Sequence, residues 1–309
     1  MPKTAIVTGG AGFIGSHLVD ALIEREWKVV VIDNLSTGFK KNVNPKAQFN
    51  KLDICHPAAA RLIVKFKPQA IFHMAAQISV PLSVREPVKD AETNIMATLK
   101  LLDAAASVGV GRFIFAGTGG PLSSEETKLP TDEAHAAMPK SPYAIAKVSS
   151  EMYGAFYRAT RHLPFISFRF ANVYGPRQNP HGEAGVIAIF CKRMLADEPV
   201  RINGTGKQTR DYVFVGDVIR AMLLGLGKPK ATGPYHVGTG KETSVKELFD
   251  HISRLTGYKK KPLKGPADVG TPMRSALDAG KIRRELGWKP QIDMEKGLRQ
   301  TVAWFRKNR

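Results

Sequence analysis

Thr4-Ala5-Ile6-Val7-Thr8-Gly9-Gly10-Ala11-Gly12-Phe13-Ile14-Gly15 decides the fold. A short β-branched, apolar run reads as a buried strand, and the glycines then open directly into an amphipathic stretch over 14–25. The loop satisfies both Gly-x-Gly-x-x-Gly and Gly-x-x-Gly-x-x-Gly. Its place between strand and helix gives the pattern meaning, since glycine permits a tight turn and close backbone approach of a pyrophosphate to a helix N-terminus. Outward from this point, apolar runs alternate with helical segments. Strands are expected at 29–32, 47–54, 70–75, 112–117 and 165–172, with helices at 58–66, 87–108 and 141–161. That rhythm predicts an α/β fold, a doubly wound parallel (Rossmann) sheet. Residues 172–210 break it with Gly and Pro around a helix at 186–196. The stretches 212–227 and 234–238 read as a return to the main sheet, followed by helices at 245–255 and 294–307 with a loop over 259–272. The expected organisation is a nucleotide-binding domain over 1–171, with returning segments about 212–240, and a smaller C-terminal substrate lobe from 172–211 and 241–309.

Asp33 closes the second strand, where a carboxylate accepts hydrogen bonds from ribose hydroxyls and repels a 2′-phosphate. Asn34, Leu35 and Ser36 supply no compensating cation, so NAD is favoured over NADP. Asp53, after the third strand, is placed either at the adenine or as a plain loop aspartate. Tyr143 and Lys147 stand four apart in Ser-Pro-Tyr-Ala-Ile-Ala-Lys and share a helix face. A neighbouring ammonium favours the phenolate, which makes Tyr143 a candidate general base.

Composition narrows the class. The chain has 309 residues, 46 Lys and Arg against 27 Asp and Glu, for a net charge of +19. The basic residues are scattered and no RNA-binding aromatic motif appears, so an anionic metabolite accounts for the charge better than specific nucleic-acid binding. Cys55 and Cys191 fit no metal or redox spacing, no metal site is expected among the histidines, and the setting expected is cytoplasmic.

The landmarks resemble the extended short-chain dehydrogenase/reductase family, and within it the UDP-glucose 4-epimerase-like proteins. They are Thr8–His17, Asp33–Gly38, His73-Met74-Ala75-Ala76-Gln77, the Tyr143/Lys147 pair, Arg169–Arg177, Gly182–Val186 and Arg210-Asp211-Tyr212. The resemblance covers nearly the whole chain. It implies Gly9, Gly12, Phe13, Ile14 and Gly15 around a pyrophosphate, Asp33 and Asn34 at the ribose, and Asp53 and Ile54 at the adenine. Ala75, Ala76, Asn94, Tyr143 and Lys147 then lie along the rest of the NAD. Thr118 matches the hydroxyl partner of the tyrosine; Asn172 and Arg210 match diphosphate ligands; Val186 and Ile202 fall near the uridine. Arg274 or Lys264 supplies a second diphosphate cation, with Arg274 preferred for its bidentate guanidinium.

Ser275 occupies the gate position, where a small side chain leaves room for an N-acetyl group. The implied reaction is C4 epimerisation of a UDP-hexose through a 4-keto sugar. Alternatives are a sugar-nucleotide dehydratase or decarboxylase, and a non-catalytic NAD-binding scaffold or sensor. Dehydratases of the family place an Asp-Glu pair after the threonine, where this chain has Gly119 and Gly120. His181 and His236 fall on candidate substrate-side loops, and Asp132-Glu133 reads as a solvated turn. The helices at 87–108 and 141–161 match those forming the family's homodimer seam.

Overall fold

Seven short runs of Val, Ile, Phe and Ala lie side by side in one parallel sheet, in a computed structural model that describes residues 3–119, 128–181, 185–266 and 272–308. Gly120–Leu122, Gly182–Ala184 and Asp268, which the sequence reading touches, lie outside the described residues. The first half runs β1 (Thr4–Thr8), α1 (Phe13–Ile23), β2 (Lys28–Asp33), β3 (Gln48–Lys51), α2 (Pro57–Phe66) and β4 (Ala70–His73). It continues through α3 (Val80–Arg85), α4 (Pro87–Ala91), α5 (Ala97–Ser107), β5 (Arg112–Thr118), α6 (Pro142–Arg161) and β6 (Phe165–Phe170). The second half holds β7 (Asn172–Tyr174), α7 (Val186–Leu195), β8 (Arg201–Asn203), β9 (Thr209–Phe214), α8 (Val215–Leu226) and β10 (Tyr235–Val237). It ends with β11 (Glu242–Ser244), α9 (Val245–Thr256), β12 (Leu263–Gly265), α10 (Gly280–Leu286) and α11 (Met294–Lys307).

The main sheet has the order β10-β6-β5-β4-β1-β2-β3, so the winding reverses at β1, which pairs with β2 on one side and β4 on the other. That reversal opens a crevice at the carboxyl ends of the strands. Side chains alternate between the two faces as strand geometry requires. Ile6, Val30, Ile32, Ile71, Phe113 and Phe115 pack in one apolar cluster with Ile63 of α2 and Leu101 and Leu102 of α5. Val7, Val29, Val31, Phe72, Ile114 and Phe168 pack in the other, with Leu18 and Leu22 of α1 and Val218 and Met222 of α8. This second cluster runs without a break into the C-terminal lobe through Tyr174, Phe190, Phe214, Phe249 and Trp288.

The return to the sheet differs from expectation. Only β10 joins the main sheet, pairing with β6. β9 instead forms a three-stranded sheet with β7 and β11, because β7 turns away after β6 and β9 pairs parallel to β7 and antiparallel to β11. The helix expected over 87–108 is also not uniform: α4 and α5 are joined by a π turn over 92–96, with Ala91 and Met96 both in helical conformation.

Candidate active site

The glycine loop is shaped by close packing. Gly9 has φ +71°, and a Cβ there would lie 2.7 Å from the Ala75 nitrogen. At Gly15 a Cβ would fall 2.1 Å from the Gly9 carbonyl oxygen, so glycine is what lets α1 press against the loop. Gly12 is different: the one near atom is the Gly9 oxygen at 3.2 Å, which leaves that face open to a ligand at the start of α1. Asp33 is buried at the end of β2; its two carboxylate oxygens accept the Ala11 N–H (2.9 Å) and the Leu35 N–H (2.8 Å). The carboxylate therefore fixes the loop while keeping lone pairs for further donors. Asn34 donates its side-chain amide to Asp53 (2.7 Å), and Asp53 also accepts from the Cys55 N–H (2.8 Å). Burial pushes the Asp53 carboxyl up, but the hydrogen bonds from Cys55 and Asn34 outweigh it and hold the group below the usual range. Ile54 is buried beside it, whereas Phe13 and Ile14 stay partly exposed.

From the end of β1 a polar relay crosses the sheet. The Thr98 hydroxyl donates to the Asn94 carbonyl (2.8 Å), so it accepts from His73 Nε2 (2.9 Å), leaving Nδ1 to accept the Thr8 hydroxyl (2.7 Å). Thr8 Oγ1 in turn accepts the Ala75 N–H (3.2 Å). His73 is buried, and burial together with the Lys147 charge drops its pKa to about 3, so the ring is neutral in one tautomer. The His73 position is thus structural, and it fixes Ala75. Asn94 lies in the π turn; its side chain accepts the Gln77 N–H and donates to the Gln77 carbonyl (both 2.9 Å), which holds the loop carrying Ala76. The opened helix leaves the Asn94 carbonyl free to accept the hydroxyls of both Thr98 and Ser150.

Tyr143 and Lys147 enter on α6. Ser141 caps this helix by accepting the Ala144 N–H (3.2 Å), and Pro142 presets its first turn. The Tyr143 phenol lies by the Thr118 hydroxyl at the end of β5, which acts to lower the phenol's pKa. Lys147 donates its ammonium to the Ala116 carbonyl (3.0 Å) and lies 4.9 Å above the Phe115 ring and 6.0 Å from the Tyr143 ring centre. Burial lowers its pKa to about 8, against the raising effect of Glu151 and Asp90. The expected depression of the Tyr143 pKa is not what this arrangement gives. Burial and the Asp90 carboxylate push the phenol up to about 12, and the Thr118 hydroxyl offsets them only in part. Behind the pair, Glu151 accepts Ser167 Oγ (2.5 Å) and Arg169 Nη2 (2.7 Å), and a Cβ at Gly117 would strike Glu151 at 2.4 Å.

Among the candidate substrate residues, Arg210 and the Arg274 segment come together. Arg210 on β9 donates to the Thr209 carbonyl (2.7 Å) and approaches the Met273 carbonyl (3.5 Å), which brings the segment bearing Arg274 beside it. Arg274 is exposed and pairs with Glu242 on β11. Lys264 lies instead on β12 opposite Ile202 of β8, and Ile202 is buried. Asn172 is exposed at the start of β7, and Val186 is half-buried in the first turn of α7. Ser275 is 4% exposed, so its side chain faces packed structure and not open solvent.

His236 is buried on β10 with Nδ1 toward the Thr131 carbonyl (3.0 Å), while His181 is exposed beside Lys192. The solvated turn expected at Asp132-Glu133 holds for Asp132, which is exposed, but not for Glu133, which is half-buried and accepts the His236 backbone N–H (2.7 Å), with burial raising its pKa. The residue missed from the sequence is Asp90, buried and bonded to Gln77 and Asn94; its signal was the four-residue spacing to Asn94 along one helix face.

Known proteins resemble this chain along nearly its whole length. The NAD dependent epimerase/dehydratase family model matches residues 5–238. A UDP-glucose 4-epimerase of Mycolicibacterium smegmatis is 42% identical over 97% of this chain and 98% of its own length. Among solved structures, a UDP-glucose 4-epimerase of Thermotoga maritima with UDP-glucose superposes with TM-score 0.95 at 47% identity, covering 99% of each chain. The Thermus thermophilus UDP-glucose 4-epimerase in complex with NAD gives TM-score 0.91 at 40% identity, covering 98% of this chain and 99% of that one.

Proposed function

This chain belongs to the NAD dependent epimerase/dehydratase family and is an NAD-using enzyme of the epimerase kind, and from that premise we propose that it inverts C4 of a UDP-hexose. The observation that carries the reading is the meeting of Tyr143 and Lys147, one turn apart on α6, with the end of β5, where Lys147 bonds the Ala116 carbonyl and Thr118 lies by the phenol. The glycine cradle fits the cofactor: Gly12 leaves its outer face open at a helix N-terminus, and Asp33 stands at the end of β2 to take ribose hydroxyls. When bound, NAD supplies a positive ring that accepts and returns a hydride at the sugar carbon.

Tyr143 takes the proton of the C4 hydroxyl, and Thr118 holds the same oxygen by hydrogen bonding. Lys147, fixed on the Ala116 carbonyl 6.0 Å from the Tyr143 ring centre, holds a positive charge on that side of the site, and the phenol is to become the anion once the positive nicotinamide ring of a bound NAD adds to it. The resulting 4-keto sugar turns over to present the opposite face of C4 for reduction, and Tyr143 returns the proton to the C4 oxygen. Asn172, Arg210 and Arg274 hold the diphosphate, Arg274 by exchanging Glu242 for phosphate oxygens, with Val186 and Ile202 near the uridine. A firm grip on the nucleotide with a loose one on the sugar permits that rotation.

The same site disfavours the dehydratase reading. An acidic side chain at position 119 would have to displace Leu277, since a Cβ there already falls 2.4 Å from its Cδ1. Ser275 is small, which supports acceptance of UDP-N-acetylglucosamine beside UDP-glucose. Two copies are read as associating through α4, the π turn and α6, where Val88 (72% exposed), Met152 (69%) and Phe156 (54%) present an apolar face.

The test is to incubate the protein separately with UDP-glucose and UDP-N-acetylglucosamine and resolve the products by chromatography. A 4-epimer is expected from each, and Tyr143→Phe is expected to retain NAD while losing turnover by about 10²-fold or more. A dehydrated 4-keto product, or near-normal epimerisation by the Phe variant, rejects the assignment.

A further inference from the structure

Asp90 lies on α4, 1% exposed, where α4 packs on α6. One carboxylate oxygen, Oδ1, accepts the side-chain amides of Gln77 (2.8 Å) and Asn94 (2.9 Å). The other, Oδ2, is equally buried and has no hydrogen-bond partner among the described residues. An unsatisfied buried acceptor is costly, the more so when charged, and clamping Gln77 and Asn94 needs only Oδ1, so the second oxygen calls for another reason.

Burial raises the pKa of this carboxyl, and the Gln77 and Asn94 amides and the Lys147 charge oppose that rise. The charged and titratable groups facing it on α6 are Lys147 and Tyr143, with Glu151 acting on Lys147 from one turn further along. On β4 the group is His73, which is neutral.

We propose that Asp90 is a positioning residue for the reaction read above: Oδ1 locks the loop before α3 to the π turn, and the charge on Oδ2 keeps Lys147 an ammonium. The inference rests on that reading only in naming Tyr143 and Lys147 as the reacting pair. Burial alone drives Lys147 toward neutrality, and its pKa of about 8 is held there by the Glu151 and Asp90 carboxylates. The same negative charge keeps Tyr143 a phenol. Asp90 therefore holds protons on both members of the pair, so the tyrosine gives up its own only when a further positive charge arrives beside it.

The experiment needs no substrate. Lysine labelled at its side-chain nitrogen is followed by NMR against pH, with the Lys147 signal identified by its loss in Lys147→Arg. Asp90→Asn keeps an acceptor for the Gln77–Asn94 clamp and removes the charge. Its Lys147 midpoint is expected to fall by roughly one pH unit, a tenfold loss of proton affinity. Gln77→Ala removes a clamp bond and keeps the charge, and is expected to leave the midpoint in place. An unshifted midpoint in Asp90→Asn overturns the proposal. Should that variant fail to fold, the Asp90 carboxyl carbon in the unaltered protein must show an inflection at the Lys147 midpoint, and a flat trace there overturns it equally. A protein that shows the shift but yields no epimer from UDP-glucose sinks the proposed reaction alone; epimerisation without the shift sinks only the role of Asp90.

Discussion

Alanine at Gly15 and alanine at Gly12 are the same chemical change three residues apart, yet they should fail differently. At Gly15 the new methyl would sit 2.1 Å from the Gly9 oxygen and 2.8 Å from the Gly9 carbonyl carbon. Ordinary contact begins near 3.4 Å, so α1 must withdraw from the loop by about 1.3 Å, and only backbone is available to yield. Gly9 cannot retreat freely, because it lies against Ala75 and its N–H is bonded to the Ile32 carbonyl (2.8 Å). Overpacking of this kind costs about 1–3 kcal/mol. The shift also tilts the helix N-terminus away from where phosphate must meet it. At Gly12 the nearest atom is 3.2 Å away, so the fold absorbs the methyl with little loss and the occupied space is taken from the ligand. Urea unfolding and calorimetric titration with NAD separate the two. Gly15→Ala should lose stability and NAD affinity together; Gly12→Ala should lose affinity tenfold or more with an unfolding midpoint close to that of the parent. If Gly12→Ala binds NAD as the parent does, or if Gly15→Ala keeps both properties, the cradle does not hold the pyrophosphate in the manner described.

Acid should destabilise the protein well before its carboxylates titrate. His73 and His236 have pKa values of about 3 and about 4 in the fold, against 6.5 when unfolded, so the unfolded state binds more protons below pH 6.5 and stability falls as pH falls. Each contributes up to about 1.4 kcal/mol per pH unit between those limits, and the urea midpoint of His73→Asn should depend less steeply on pH than that of the parent; an unchanged slope refutes the buried, neutral assignment. Asp217 is 2% exposed and accepts the N–H groups of Gln291 and Ile292 and the Arg220 guanidinium, so Asp217→Ala should cost about 2–4 kcal/mol in urea unfolding, and a loss under 0.5 kcal/mol contradicts that role. Val88→Asp, at a site 72% exposed, should convert a dimer to a monomer in sedimentation velocity while the unfolding midpoint moves little; a parent protein that sediments as a monomer removes the proposed seam.

The strand–glycine–helix passage was legible because three local preferences agree there: β-branched residues before the turn, glycine within it, and apolar periodicity after it. The bounds of α6 and α11 were equally plain, since Ser141 and Asp293 are N-caps by side-chain chemistry. β9 was misplaced because an apolar run reveals burial and not which strand it pairs with. The π turn was invisible for a similar reason: the hydroxyls that meet its Asn94 carbonyl come from Thr98 and Ser150 on two different helices, a meeting that local spacing does not contain. Spacing put Tyr143 beside Lys147 correctly, but the sign of the phenol's shift depends on burial and on Asp90, 53 residues upstream, neither of which spacing contains.

The Thr8–His73–Thr98 relay has one more consequence. Every donor in it is committed to a single direction, so no member can rotate to suit a neighbour without stranding another inside an apolar slab. The loop at Ala75 and the widened helical coil at Asn94 are consequently braced by one chain of directed hydrogen bonds, and a ring that binds against them would meet a wall that will not give. Discrimination among pyridine cofactors would then come from refusal to deform, and softening the brace with Thr98→Val should broaden what the crevice tolerates.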